Sequence, residues 1–270
     1  MTDIFKELHR IILCNDADEK CRATHELAAS IFNHSNIAQT AKESSDVAGE
    51  ILVPGFPPAL KLVAPRELKR RGIQSQDGRN ILLHAVAHIE FNAINLALDA
   101  AYRFRDEPDE YYQDWLSIAD DEARHFGLIR DYLNQHGCEY GDYAAHNGLW
   151  QMAIDTQHDV VARMALVPRV LEARGLDVTP GIIKKLQRVN DQQAVDILTV
   201  IYQDEIGHVE TGSRWFFYQC EQNNFEPRST FMKMVEQYLH GELRGPFNVP
   251  ARLKAGFDEF EMAAINKRYG

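Results

Sequence analysis

The stretch DEARH at residues 121–125 and its echo DEIGH at residues 204–208 each place Glu-x-x-His directly after an aspartate. On an α-helix, side chains three positions apart lie on one face about one turn apart, so such a pair can bind one metal ion. The pattern alone is weak, because short pairs of this kind recur by chance. Here both copies lie on an apolar helical stripe, which predicts that both face the protein interior. The two copies therefore predict two inward-facing halves of a metal site.

Each copy is preceded by a further glutamate in a mostly apolar helical run. Glu90 comes before Glu122 at nearly the same distance as Glu172 comes before Glu205. The chain therefore reads as two helix pairs, each supplying one glutamate and then one Glu-x-x-His. That is the ligand set of a di-iron or di-manganese carboxylate site in a four-helix bundle. The predicted ligands are Glu90, Glu122, His125, Glu172, Glu205 and His208.

Other residues near these ligands have a different interpretation. His84 and His88 belong to the same predicted helix as Glu90. His88 is two residues from Glu90, about 200° around a helix, so it points away from the site that Glu90 faces. We interpret both histidines as structural or surface residues. Glu172 is either a ligand or a surface glutamate, because its stripe includes Arg169 and it lies near a predicted helix end.

The periodic apolar pattern predicts an all-α fold with four principal helices, A to D. They are expected at about 80–103, 107–134, 149–174 and 191–222. Pro168 should kink helix C, and Gly175 with Pro180 should end it. The predicted domains are a helical N-terminal extension at 1–50, an extended strap at 51–79, a four-helix bundle with a long B–C connection at 80–224, and a C-terminal extension packed on the bundle at 225–270.

Two glycines lie in predicted helix D beside the second motif. Gly207 and Gly212 leave space that no side chain of their own fills. Such space could admit a substrate, or it could let another helix pack closely. The sequence leaves both interpretations open.

The composition limits the classes of partner. A length of 270 residues is long for one helical bundle, which favours one main domain with terminal extensions. The net charge of −11 argues against an extended nucleic-acid surface. The basic cluster, defined as Lys61, Arg66, Lys69, Arg70 and Arg71, is interpreted as a solvated face, with a local nucleic-acid contact as the alternative. The four cysteines form no Cys-x-x-Cys pair, so no zinc ribbon is indicated.

The sequence also bears on location. Residues 1–16 mix charged and apolar side chains and lack the long apolar core of a signal peptide. The most apolar run, Ile81–Tyr102, carries histidine, asparagine and acidic residues that a membrane helix would exclude. We therefore expect no membrane contact and a cytoplasmic location.

The motifs and their flanks resemble the ferritin-like superfamily of dimetal carboxylate proteins. That superfamily includes ribonucleotide reductase small subunits, bacterial multicomponent monooxygenases and a tRNA hydroxylase that modifies isopentenylated adenosine. A bacterial ferritin-like family of unknown function, number four-five-five, is similar to this chain over roughly residues 50–260. The similar runs are HAVAHIEFNAINLALDAAYRF (84–104), DEARHF (121–126), LVPRVLEARGLDVTPG (166–181) and DEIGHVETGSRWF (204–216). The resemblance implies a ferritin-like four-helix bundle.

The resemblance also implies a role for each site residue. The bridging carboxylates would be Glu122 and Glu205, the terminal ones Glu90 and Glu172, and the nitrogen ligands His125 and His208. Asp121 and Asp204 would hydrogen-bond the outer nitrogen of a metal-bound histidine, and Arg124 would hold one of these acids. Where the monooxygenase pattern has a second arginine, this chain has Gly207.

Two classes of function follow from the resemblance. The first is an oxidoreductase in which two metal ions activate O₂ to oxidise or hydroxylate an unidentified small molecule or modified nucleoside, with an electron donor as a further partner. Carboxylate-rich ligation suits iron first, and also manganese or a mixed pair. The second is a non-catalytic metal-binding or scaffold protein with the same fold. A bundle of buried glutamates without metal is disfavoured, because buried carboxylates need partners.

Overall fold

The computed structural model describes residues 3–31, 36–43, 48–68, 71–239 and 243–270. Within these ranges the regular elements are helices, and strand-like pairing is limited to one isolated parallel bridge between Leu62 and Ala145. The predicted all-α class is therefore confirmed. The chain divides into two compact units, Met1–Ile154 and Asp155–Gly270. The four domain ranges expected from the sequence stay a prediction.

The first unit is built on two long helices that pack along each other. Its elements are α1 (Ile4–Ile12), α2 (Ala17–Ile31), α3 (Ile37–Glu43), a short 3-10 turn (Pro65–Glu67), α4 (Gln76–Arg103), α5 (Asp109–Gln135) and α6 (Gly148–Asp155). The central pair is α4 and α5, with α1 packed on α4 and α2 packed on α5. Helix α4 begins four residues before the predicted start at Asn80, because the Ser75 side chain caps it by accepting a hydrogen bond from the Gly78 amide.

A buried lysine joins the N-terminal helices to α4. Lys20 Nζ donates hydrogen bonds to the carbonyl oxygens of Ile12 and Gly55, each at 2.9 Å, and to Asn95 Oδ1 at 2.5 Å. These three acceptors match the three donors of an ammonium group. The same nitrogen lies 4.8 Å from the centroid of the Phe91 ring. The end of α1, α2, the segment around residue 55 and α4 therefore meet at one side chain.

Helix α4 is the one helix in the described ranges that is long and apolar enough to cross a membrane. Its most apolar window is 72% buried within the protein, as in the core helix of a soluble protein. Of the basic cluster, Lys69 and Arg70 lie outside the described residues, and Arg71 forms an ion pair with Asp77. The choice between a solvated face and a nucleic-acid contact therefore stays open.

The second unit is organised around its longest helix, α9. Its elements are α7 (Val160–Leu166), a π-helix (Val167–Glu172), α8 (Ala173–Arg188), α9 (Gln192–Gln222), α10 (Pro227–Leu239), α11 (Val249–Lys254) and α12 (Glu259–Tyr269). Helices α7 and α8, the π-helix, α10 and α11 all pack against α9. The bounds of α9 agree with predicted helix D.

Predicted helix C is wrong in its continuity and in its end. A break separates the end of α6 at Asp155 from the start of α7 at Val160. The break occurs because the Asp159 side chain caps α7 by accepting hydrogen bonds from two of its first amides. Beyond the break the helical path does not stop at Gly175 but continues to Arg188.

Helix α8 continues through Pro180 because another segment replaces the hydrogen bond that the proline removes. Proline has no N–H, so the carbonyl of Leu176, four residues earlier, loses its partner within the helix. The Asn248 side-chain amide donates to that carbonyl at 3.0 Å. The freed carbonyl is therefore satisfied from outside the helix, and the helix does not end there.

The expected distortion at Pro168 takes the form of the π-helix. Residues Val167–Glu172 form one wide turn between α7 and α8. A Cβ atom at Gly212 of α9 would overlap the Pro168 ring, so Gly212 lets α9 approach the π-helix closely. Among the described residues, a Cβ atom at Gly207 would have no heavy atom within 4 Å apart from its chain neighbours and the backbone of its own helix. Gly212 therefore serves close packing, whereas Gly207 faces open space.

Candidate metal centre

Three predicted ligands come together in the first unit. His125 Nδ1 lies 3.3 Å from Glu90 Oε2 and 3.4 Å from Glu122 Oε2. One potential ligand atom from each residue lies within 4.8 Å of those of the other two. All three side chains are buried. The structure thus contains a buried cluster of two carboxylates and one imidazole that could bind a metal ion.

The cluster forms where two apolar helix faces meet. Glu122 and His125 are three residues apart on α5, which places them on one face. Glu90 reaches them from α4, whose central part is almost wholly buried. Next to these residues in the sequence, the ring centroids of Phe91 and Phe126 lie 5.0 Å apart, so these two rings bring the two helices into contact. The spacing within α5 and the packing of α4 on α5 together produce the cluster.

The electrostatics of the cluster centre on His125. Burial acts to lower its pKa, but hydrogen bonds to the carboxylates of Glu122 and Glu90 raise that pKa to about 11. The imidazole therefore holds a proton between two negative groups in the metal-free chain. Metal ligation requires a neutral imidazole, so a metal ion and this proton would compete for the same place.

Arg124 contacts both Asp121 and the outer side of the His125 ring. Arg124 Nη2 donates to Asp121 Oδ1 at 2.8 Å and lies 3.4 Å from His125 Nε2. Nδ1, the other ring nitrogen, faces the two carboxylates. The arrangement leaves Nδ1 as the nitrogen available to a metal ion at the carboxylates. A direct hydrogen bond from the histidine N–H to the Asp121 carboxylate stays a prediction.

The second unit contains the other Glu-x-x-His pair on α9. His208 Nδ1 lies 3.8 Å from Glu205 Oε1, and both side chains are buried. Asp204, on the same helix, is half-buried. Glu172 is the last residue of the π-helix and is also half-buried. Because the π-helix packs on α9, Glu172 belongs to the same compact unit as the second motif. The role of Glu172 as a ligand stays a prediction.

His84 and His88, which the sequence analysis did not include among the ligands, are structural residues. His84 Nε2 accepts a hydrogen bond from the Gly141 amide at 2.8 Å. His88 Nδ1 lies 2.8 Å from the Tyr140 hydroxyl, and its Nε2 lies 3.0 Å from the His146 carbonyl oxygen. Burial lowers the pKa of both histidines to about 4, so both are neutral. They tie the connection after α5 to the α4 helix.

Comparison with known proteins identifies the family. The family model described as "Protein of unknown function (DUF455)" matches residues 13–263. The chain belongs to this family. The match confirms the resemblance to family four-five-five, whereas membership of the ferritin-like superfamily stays a prediction. An uncharacterized protein of Haemophilus influenzae is 37% identical over 269 residues, which cover 97% of this chain and 93% of the relative. No solved structure matches the chain.

The donor set in this DUF455 protein fits a divalent metal ion. Carboxylate oxygens and imidazole nitrogens suit first-row metals, including iron and manganese. Buried carboxylates are costly unless a cation neutralises them. At Glu90 and Glu122 that cation is either protonated His125 or a metal ion that takes the place of the His125 proton.

Proposed function

We propose that this chain is a ferritin-like dimetal carboxylate protein that reacts with O₂ as an oxidoreductase. The residues that would hold the metal ions are Glu90, Glu122, His125, Glu172, Glu205 and His208. The observation that carries the proposal is that His125 Nδ1 faces the carboxylates of Glu90 and Glu122 in a buried site. The repeat of Glu-x-x-His on α9 supports a second ion.

The composition of the donor set favours redox chemistry over a purely structural site. Four carboxylates would balance the charge of two divalent ions, which would ease their oxidation, and one nitrogen per ion would leave coordination positions open. When bound, two ferrous ions would supply electrons to O₂ for oxidising or hydroxylating a small molecule or a modified nucleoside. Iron is the preferred metal, with manganese or a mixed pair as alternatives, and turnover would need an electron donor. A cytoplasmic location suits that chemistry.

The chain's own residues have three tasks in this proposal. His125 would give up its Nδ1 proton where a metal ion binds, so binding would release a proton and would strengthen as pH rises. Arg124 donates a hydrogen bond to Asp121 and lies beside the outer edge of the His125 ring, so it keeps Asp121 close to that ring. The buried neighbours Ile118, Phe126 and Ile129 keep bulk water from the carboxylates.

The alternative function is a non-catalytic metal-binding or scaffold protein. The same buried cluster would serve it, because a metal ion that neutralises buried carboxylates also stabilises the fold. Reactivity with O₂ separates the two functions. A structural metal site keeps its coordination closed, whereas an oxygen-activating site keeps positions open.

The test is stopped-flow absorbance after anaerobic Fe(II)-loaded protein is mixed with oxygenated buffer. We expect wild-type protein to oxidise iron faster than free Fe(II) does, and Glu122→Ala to lose that advantage. Glu110→Ala is the matched control, because Glu110 is exposed on the same helix. If wild-type protein oxidises iron no faster than free Fe(II), the scaffold function replaces this proposal.

A further inference from the structure

The π-helix contains a fully buried arginine that the metal site does not use. Arg169 Nη2 donates to both carboxylate oxygens of Glu261, at 2.9 and 3.0 Å, and its Nε donates to Ser213 Oγ at 3.2 Å. Both charged side chains are at most 1% exposed. The guanidinium also lies 4.4 to 5.1 Å from the centroids of four aromatic rings, those of Phe216, Phe217, Phe231 and Phe257. A buried ion pair therefore joins helix α12 to the middle residues of the π-helix.

A second buried ion pair joins the C-terminal segment to the start of α8. Arg252 of α11 donates to Asp177 Oδ1 at 3.0 Å and to Asp177 Oδ2 at 2.8 Å. Its Nη2 also donates to the carbonyl oxygen of Ala173 at 3.4 Å. Asn248, just before α11, donates to the Leu176 carbonyl that Pro180 leaves free. The first turn of α8 therefore depends on side chains from residues 243–270.

These contacts flank one predicted metal ligand. Glu172 lies three residues after Arg169 and directly before Ala173. A π-helix is a rare conformation, occurring mostly as single turns at functional sites. The two buried ion pairs contact the chain from outside this turn, one on either side of Glu172.

We propose that the C-terminal segment, residues 243–270, is a brace that keeps Val167–Glu172 in its π-helical form and so positions the Glu172 carboxylate. Arg169 and Glu261 are its central positioning residues, with Arg252 and Asn248 as its second attachment. The part that concerns metal binding rests on the proposed function. The part that concerns the π-helix does not, so the two can fail separately.

A double variant removes the central contact without leaving a buried charge. In Arg169→Met/Glu261→Leu, two apolar side chains replace the ion pair among the aromatic rings, a change that a protein interior often tolerates. The matched control is Arg268→Met/Glu236→Leu, which removes an Arg–Glu pair joining α12 to α10 with 47% and 66% side-chain exposure. If the double variant does not fold, Asn248→Ser removes the amide donor while keeping a side-chain cap for α11.

The first readout is amide hydrogen exchange in peptides covering residues 167–173. We expect faster exchange in Arg169→Met/Glu261→Leu, here called the brace variant, or in Asn248→Ser. The control should exchange at the wild-type rate. Equal exchange in the brace variant and wild-type protein would overturn the proposal. This comparison is made without metal, so it does not depend on the proposed function.

The second readout is anaerobic Fe(II) titration of the same proteins. We expect the brace variant to bind one of two ions about 10- to 100-fold more weakly and the other unchanged. Glu172→Ala should give the same selective loss, and adding it to the brace variant should give no further loss. An equal loss of affinity for both ions would mean that the ion pair has a general structural role. That result would overturn the proposal that it positions Glu172. If wild-type protein binds no iron, the proposed function fails, while the exchange result still decides whether the brace exists.

Discussion

His125 Nδ1 lies 3.3 Å from Glu90 Oε2, although α5 carries the histidine and α4 carries the glutamate. Spacing along one helix cannot produce this contact, which depends on how the two helices pack. Glu122 adds its carboxylate from the same face of α5, 3.4 Å from the same nitrogen. One ring nitrogen therefore lies between carboxylates from two helices. This contact sets the pKa of His125 and places the three groups where they could bind one metal ion.

The stability of the metal-free protein should fall as pH rises, because of His125. Burial acts to lower the pKa of His125, but hydrogen bonds to Glu122 and Glu90 raise it to about 11. A folded-state pKa above the unfolded value contributes stability that is complete below about pH 6.5 and is lost as pH rises through the folded pKa. We expect this loss to be on the order of a few kcal/mol in wild-type protein and much smaller in His125→Gln.

Urea unfolding of metal-free protein between about pH 6 and about pH 10 measures this difference. His158→Gln is the control, because His158 is exposed. A His125→Gln profile that runs parallel to wild type would mean that the two carboxylates do not hold the histidine proton.

Adding a methyl group at two glycines of α9 should have different effects on stability. Gly212→Ala would push a Cβ atom into the Pro168 ring, and we expect it to cost about 1–3 kcal/mol. Gly207→Ala meets open space, and we expect it to be neutral or to stabilise the helix by about 0.5–1 kcal/mol. Chemical unfolding of both variants tests the pair. Similar effects of the two substitutions would contradict the close approach of α9 to the π-helix.

The stability cost of losing Glu122 should depend on metal. Metal binding free energy adds to folding free energy, so Glu122→Ala should lower the melting temperature more in Fe(II)-loaded protein than in metal-free protein. Thermal melts under anaerobic conditions, with and without Fe(II), provide the comparison. Glu110→Ala should show no such difference. An equal loss for Glu122→Ala in both forms would make this glutamate a purely structural residue.

The sequence predicts a helix well where the apolar residues of that segment alone follow the helical period. The apolar stripes of α4, α5 and α9 follow the helical period and predict them closely. The predicted end of helix C is wrong because the true end depends on a distant side chain. Pro180 normally ends a helix, and the chain continues there because Asn248 supplies the missing donor. The sequence around Pro180 contains no signal that predicts the contact with Asn248.

The same distinction applies to the candidate site. The three-residue spacing of Glu122 and His125 predicts that they share a face, whereas their contact with Glu90 needs the packing of α4 on α5. The sequence does not predict that Glu261 is the buried partner of Arg169, because Glu261 lies in a terminal helix that no motif connects with the π-helix. In the sequence Arg169 only weakened the case for Glu172 as a ligand.

Iron stoichiometry tests the central claim most directly. Anaerobic equilibrium dialysis against Fe(II), followed by metal analysis, should give two ions per chain for wild-type protein. Glu210→Ala should keep both ions, because Glu210 is exposed on the same helix as the predicted ligand Glu205. Glu205→Ala should lose at least one ion. Wild-type protein without bound iron, or a Glu205→Ala variant that binds as much iron as wild type, would contradict the dimetal site.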